Sequence, residues 1–205
     1  MKPISNDELT GWELRAALGD CVIGREIIRL KETTSTNDAV LQRATSGEPE
    51  GLTIFAEKQT AGRGQRANTW ESAAGKGLWF SVLLRPNIEI ARSAQLTKWS
   101  AQTVARTISE QFHLRPTIKQ PNDIYIDGKK VAGVLVEMRA QKQAAHFAIL
   151  GIGINVNQSQ QHFSAGLRTR AVSLAQILDR KIDREALAIA LLRNLDRTYR
   201  ESFAR

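Results

Sequence analysis

The sequence predicts an α+β (mixed α/β) domain built on a mixed sheet of about seven strands flanked by helices. Three observations predict it. Short β-prone runs recur along the chain, from "REIIRLKE" (25–32) to "HFAILGIGINV" (146–156). Two longer stretches, 91–113 and 183–204, instead space their apolar residues as one face of a helix. The helices also fall irregularly between the strands rather than once after each, which argues against a strictly alternating parallel sheet.

Taken in order, residues 7–18 read as a helix and 25–32 as the first strand. "TTSTNDAVLQRAT" then opens a helix, with Ser35 or Thr34 as N-cap and Ala39, Val40 and Leu41 as its apolar surface. Residues 52–57 and 77–85 are strands on either side of a long, basic, glycine-broken loop. Ala101, Val104, Ala105, Ile108 and Phe112 set the buried face of the next helix. "PTIKQ", "DIYID" and "KKVAGVLVEM" are short strands, the last two joined through Asp127-Gly128, a two-residue hairpin signal. The last helix carries Leu192, Leu195, Tyr199 and Phe203 on one stripe. With 205 residues, and no repeat or linker, the chain suits one domain (25–205) behind a short, partly helical N-terminal extension (1–24).

Composition excludes several classes of function. A chain with 42% hydrophobic and 24% charged residues is an ordinary globular protein. The single cysteine, Cys21, allows no internal disulfide, and His113, His146 and His162 have no ligand spacing, so structural zinc is not expected. "MKPISNDELTGW" lacks an apolar stretch behind its charge, and no run is long enough to cross a bilayer, so a cytoplasmic protein is expected. The net charge of +8 invites a nucleic-acid reading, but the cations are spread along the chain without an RNP-type motif, zinc finger or basic heptad. A generally basic surface, or one that attracts a polyphosphate or an acidic partner, explains the charge as well.

Three places carry polar residues that the fold itself has little use for. At Ser35, Thr36 and Asn37 a helix start offers free N–H groups and short polar side chains, either as a cap or to a polar ligand. In the loop, Gly62-Arg63-Gly64 followed by Ala67 fits a dinucleotide fingerprint formally, but the "NTWESAAGKG" that follows has no helical periodicity. Gly75-Lys76 likewise lacks the earlier glycine of a Walker A loop. What remains is a mobile lid bearing Arg63 and Arg66, with Trp70 at its far end, suited to phosphate oxygens and a ring-bearing ligand, or else a floppy basic loop whose Trp70 packs in the core. In "KQPNDIYIDGKKVAG", Asn122-Asp123 reads as a turn, and Lys119 and Lys130 flank the unit. Two lysines converging on one place imply an anion; solvated lysines beside a turn are the plain alternative.

Together "STN" (35–37), "EKQTAGRGQRANTWES" (57–72), "KQPNDIYIDGKKVAGVLVE" (119–137) and "GIGIN" (151–155) resemble, in that order, the catalytic domain of biotin protein ligases. The resemblance covers roughly residues 25–204. It implies adenylation of biotin by MgATP, then transfer of biotin to a lysine of a biotin carboxyl carrier domain. By match to the family, Ser35, Thr36, Asn37 and Gln59 would line the biotin pocket, and Gly133 would let backbone approach the ligand. Arg63, Gly64 and Arg66 would close over the carboxylate and phosphate, with Gly62 at the same phosphate loop. Lys119 and Lys130 would sit beside carboxylate and α-phosphate as catalytic cations, Lys130 first among them. Trp70, Asn122 and Asn155 would lie on the adenylate side, and Asp123 would hold Mg²⁺ or orient the carrier lysine.

The chain departs from the family pattern at Gln65, Ala67, Asn68 and Gln120, where relatives carry arginine, Gly-Arg and tryptophan respectively. Part of the phosphate clamp would therefore rest on Arg66. No helix-turn-helix precedes the domain and no small barrel follows it, so DNA binding is not expected. A sheet-edge homodimer is common in the family. The alternatives are a lipoate-type protein ligase, which shares the fold, and a basic nucleic-acid-binding module without catalysis.

Overall fold

The computed structural model describes residues 9, 11–140 and 146–203. Its elements run α1 (Gly11–Leu18), β1 (Glu26–Leu30), α2 (Thr36–Thr45), β2 (Leu52–Ala56), β3 (Gly77–Leu84), α3 (Ser93–Phe112), β4 (Thr117–Lys119), β5 (Asp123–Ile126), β6 (Lys129–Arg139), β7 (Phe147–Asn155), α4 (Leu174–Leu178) and α5 (Arg184–Ser202). The strands form one seven-stranded sheet in the order β1-β2-β3-β7-β6-β5-β4. Only β1 and β2 are parallel, with α2 as their crossover; the other neighbours are antiparallel. The mixed sheet expected from the irregular helix placement is borne out. Residues 7, 8 and 10 of the expected first helix, and residue 204 of the expected last one, lie outside the described residues.

Both faces of the central strands are covered, which is why "LTIFA" and "GLWFSVLL" are buried at every position. On one face Leu78, Phe80 and Val82 of β3 and Leu150, Ile152 and Ile154 of β7 pack in one core with Val104 and Ile108 of α3 and Leu191, Leu195 and Tyr199 of α5. Leu9 and Leu14 join this same core, so the N-terminal segment is packed onto the domain. On the other face Val40 and Ala44 of α2 close a smaller core over Leu52, Ile54, Leu83, Phe147 and Ile149. With only ten residues, α2 covers part of that face. A recess occupies the face beside its N-terminal end.

Several local expectations change. Ser35 takes the N-cap backbone position of α2 (φ −154°, ψ 137°), but its side chain makes no capping bond. The Thr36 N–H is instead accepted by Gln59 Oε1 at 2.8 Å. The turn expected at Asn122-Asp123 falls one step earlier, at 120–122, with a cis Gln120–Pro121 bond, and Asp123 already pairs with Lys119 across the two strands. The Asp127-Gly128 hairpin is as expected, both residues having positive φ (49° and 76°). The short α4 has no counterpart in the sequence reading. Five residues are too few to show a helical period, yet a capping box announces it: the Ser173 hydroxyl accepts from Gln176 N, and Gln176 Oε1 accepts from Ser173 N.

The long loop is not the unstructured segment its composition suggests. It folds back as a finger: Trp70 N–H donates to Gly62 O at 2.9 Å, and Gly64 N–H donates to Asn68 O at 2.7 Å. Arg63 and Thr69 form an antiparallel bridge between them. The tip is a 3-10 turn over Gln65–Ala67, with Arg66 in the left-handed region (φ 56°, ψ 41°). Ser72 ties the base, its hydroxyl accepting from Gln59 N and donating to Gln59 O. A polar, glycine-broken stretch thus satisfies its own backbone groups with local bonds. No described helix is long and apolar enough to cross a membrane.

Candidate functional site

Sheet register assembles the floor of the recess. Residues directly opposite one another on paired strands share a face. Trp79 pairs with Gly153, Gly153 with Gly133, Gly133 with Asp123, and Asp123 with Lys119, so one row crosses β3, β7, β6, β5 and β4. The next row runs from Ser81 through Gly151 to Leu135. Alternation in "GIGIN" therefore places two glycines on the recess face and sends Ile152 and Ile154 into the main core. The recess above has a volume of about 230 Å³.

Lys130 reaches this face because of a bulge. Counting back from Gly133 in strict alternation would put Lys130 on the core side with Ala132. The β5–β6 register instead slips, with Ile124 opposite Ala132 but Tyr125 opposite Lys130, and Val131 is left over. Val131 and Ala132 both enter the core, and Lys130 is turned to the recess, as bulges re-aim side chains. Its Nζ lies 2.7 Å from Asp123 Oδ1 and 5.2 Å from the Trp70 ring centroid. Its backbone is fixed separately by Arg170 O and Val172 N.

Trp70 lies on the glycine floor. A Cβ added at Gly153 would come within 2.5 Å of the indole, and one at Gly133 within 2.9 Å. Trp79 meets the indole edge-on, with ring centroids 5.9 Å apart. At Gly133, where backbone was expected to approach a ligand, the described groups that use the missing Cβ are the Trp70 ring and the Lys130 side chain. Gly153→Ala is expected to displace the indole and cost about 1–3 kcal/mol; thermal denaturation and a shift in tryptophan emission would report it.

The polar end joins α2 to the sheet. Asn37, buried, donates from Nδ2 to Glu137 Oε2 at 2.7 Å, and its Oδ1 meets the Ser81 hydroxyl at 2.6 Å. A Cβ at Gly151 would fall 2.2 Å from that Oδ1, so only glycine leaves room for the amide. Arg63 is held at the rim by Asp38 and by Glu137, the latter at 3.0 Å. The hydrogen bond to Asp38, aided by the charge of Glu137, raises its already high pKa, so the guanidinium stays charged. Arg66 sits exposed at the finger tip, and Lys119 lies 5.7 Å from the Tyr125 ring centroid.

Ser35, Thr36, Asn37, Gln59, Arg63, Gly64, Arg66, Trp70, Lys119, Asn122, Asp123, Lys130 and Gly133 all border the recess. Gly62 and Asn155 do not. Gly62 makes the neck of the finger, where a Cβ would lie 2.5 Å from Trp70 O. Asn155 stands behind Lys130, reaching its carbonyl at 3.4 Å and accepting from Gln158 Nε2 at 3.0 Å. Asn122 spends its amide on Val134 O at 2.8 Å. The sequence reading missed Gly151, Gly153, Ser81, Asp38 and Glu137. The glycine period of two was a usable signal for the first pair; the acidic partners of Arg63 are far away in sequence and had none.

A small recess bordered by two lysines, with amides and hydroxyls along its α2 side, suits a polar ligand bearing an anionic part. The chain belongs to the biotin/lipoate A/B protein ligase family, whose model matches residues 29–155. It is 39% identical over 194 residues to the bifunctional ligase/repressor BirA of Bacillus subtilis (strain 168), covering 95% of this chain and 60% of that protein. With the biotin–[acetyl-CoA-carboxylase] ligase of Mycobacterium tuberculosis it shares 31% over 190 residues, covering 88% and 68%. The structure of the Aquifex aeolicus biotin protein ligase in complex with biotin and ATP matches with a TM-score of 0.70 at 31% identity, covering 87% of this chain and 73% of that one. The chain thus spans about three fifths of the length of the Bacillus relative.

Proposed function

We propose that this chain couples biotin to ATP as biotinyl-5'-adenylate and then transfers biotin to a lysine of a biotin carboxyl carrier domain. The observation that carries the reading is the single recess in which Lys119 and Lys130 meet Ser35, Thr36, Asn37 and Gln59 over a glycine floor. In the first step a carboxylate oxygen of biotin attacks the α-phosphorus and pyrophosphate leaves. Two anions approach one another there, so cations placed beforehand lower the barrier. Lys130 is the first such group, with Lys119 and Arg66 beside it. In the second step the carrier lysine amine attacks the acyl carbon and AMP departs with the electron pair. The finger over the recess slows loss of the adenylate to water.

Magnesium enters with ATP as part of the substrate. Among the described residues no group of three His, Cys, Asp or Glu side chains could hold a metal. Asp123, paired with Lys130, would supply a protein carboxylate to an ion carried mainly by the phosphates.

Incubating the protein with ATP, magnesium and either biotin or lipoate, and following pyrophosphate release, tests the reading. Release with biotin and not with lipoate is expected. Release with lipoate alone would favour the lipoate-type alternative, and no turnover with salt-sensitive nucleic-acid binding would favour a basic binding module.

A further inference from the structure

We propose that Glu137 is a positioning residue that sets the hydrogen-bond polarity of the recess and, through the same oxygen, holds the finger to it. The inference rests on the biotin reading above. Glu137 lies near the end of β6, and its Oε2 accepts from both Asn37 Nδ2 (2.7 Å) and Arg63 Nη2 (3.0 Å). An ionised carboxylate only accepts. Asn37 must therefore turn its NH₂ to Glu137 and its carbonyl oxygen to Ser81, whose hydroxyl lies 2.6 Å away and is fully buried.

Ser81 also lies 2.7 Å from Thr36 Oγ1, but it has one proton. An amide oxygen cannot return a proton, so Ser81 donates to Asn37, and Thr36 becomes the donor in the remaining contact. Gln59 Oε1 is held by the Thr36 N–H at 2.8 Å, closer than the 3.1 Å to the Thr36 hydroxyl. Thr36 Oγ1 and Gln59 Oε1 are left with lone pairs at the recess. The chain of bonds that begins at a carboxylate ends as acceptors, which suits a ring bearing N–H donors, such as a cyclic urea, and offers nothing to a dithiolane.

Glu137→Gln keeps the shape and lets the new amide donate as well as accept, so Asn37 loses its fixed orientation. The expected result is a rise in the KM and Kd for biotin of about tenfold or more, the scale of one hydrogen bond to a charged group, with the KM for ATP unchanged and the melting temperature near that of the unmodified protein. Biotin titration of Glu137→Gln, Asn37→Ala and the double variant should show that the double loses no more than Asn37→Ala alone. Ser81→Ala provides a second route to the same signature if Glu137→Gln folds poorly. Unaltered biotin affinity in Glu137→Gln, or fully additive losses, would overturn this proposal while leaving the ligase reading standing. Absence of biotin binding by the unmodified protein would overturn both.

Discussion

Replacing Lys130 with alanine is expected to cut adenylate formation at least tenfold, of the order found when one preorganised charge partner of a transition state is removed. The strand should survive the change, because the Lys130 backbone is bonded independently to Arg170 and Val172. What disappears is a cation that the bulge brings to Asp123 and to the Trp70 face. The loss should fall on kcat, measured as pyrophosphate release at saturating biotin and ATP. Lys130→Arg keeps the charge but replaces a compact ammonium with a planar fork, and should recover part of the rate. An undiminished rate in Lys130→Ala would remove this residue from the chemistry.

Replacing Arg184 with alanine is expected to give the largest loss of stability. Arg184 opens α5, is 3% exposed, and donates to Glu57 Oε2 at 2.9 Å and to the Gly77 carbonyl at 3.1 Å. It thereby fastens the end of β2 and the start of β3, the two roots of the finger, to the C-terminal helix. Removing one member of a buried ion pair leaves the other charged and undercompensated, at a cost of about 3–5 kcal/mol. In a chain of this size that lowers the melting temperature by about 10 °C. Calorimetry or thermal circular dichroism measures it, and a drop of only about 1 °C would mean that Arg29, already 3.8 Å from Glu57 Oε1, compensates the carboxylate alone. The double change Arg184→Met with Glu57→Leu should recover much of the loss, since an apolar pair carries no desolvation penalty.

Much of the fold was legible because local rules and tertiary demand agreed. β3 and β7 are apolar on one face and carry Leu83, Phe147 and Ile149 beside Trp79, Ser81 and the glycines on the other, and Asp127-Gly128 forms the two-residue turn its sequence signals. The site was legible as a set of residues more than as a geometry. Lys130 was singled out as one of two lysines flanking the 119–133 stretch, yet alternation alone assigns it to the core, and only the slipped register turns it outward. Ser35 carried the signature of a cap, but Gln59, 23 residues away from Thr36, supplies the acceptor. The Arg63–Glu137 contact spans 74 positions and the Asn37–Glu137 contact 100, distances over which no periodicity or turn signal carries information. The finger was misjudged for a related reason. Its order comes from backbone bonds between Gly62 and Trp70 and between Gly64 and Asn68, which side-chain composition does not announce.

The row of glycines has a consequence for how a ligand would be received. Gly133, Gly151 and Gly153 belong to central strands bonded on both sides, and they bring no side chain of their own to the surface on which Trp70 of the finger and the Asn37 amide of α2 lie. The ordering of that surface is complete once the sheet has folded, so adaptation to a guest falls to the finger and to α2. Binding should then resemble a hand closing on a fixed anvil rather than two mobile partners finding a common shape.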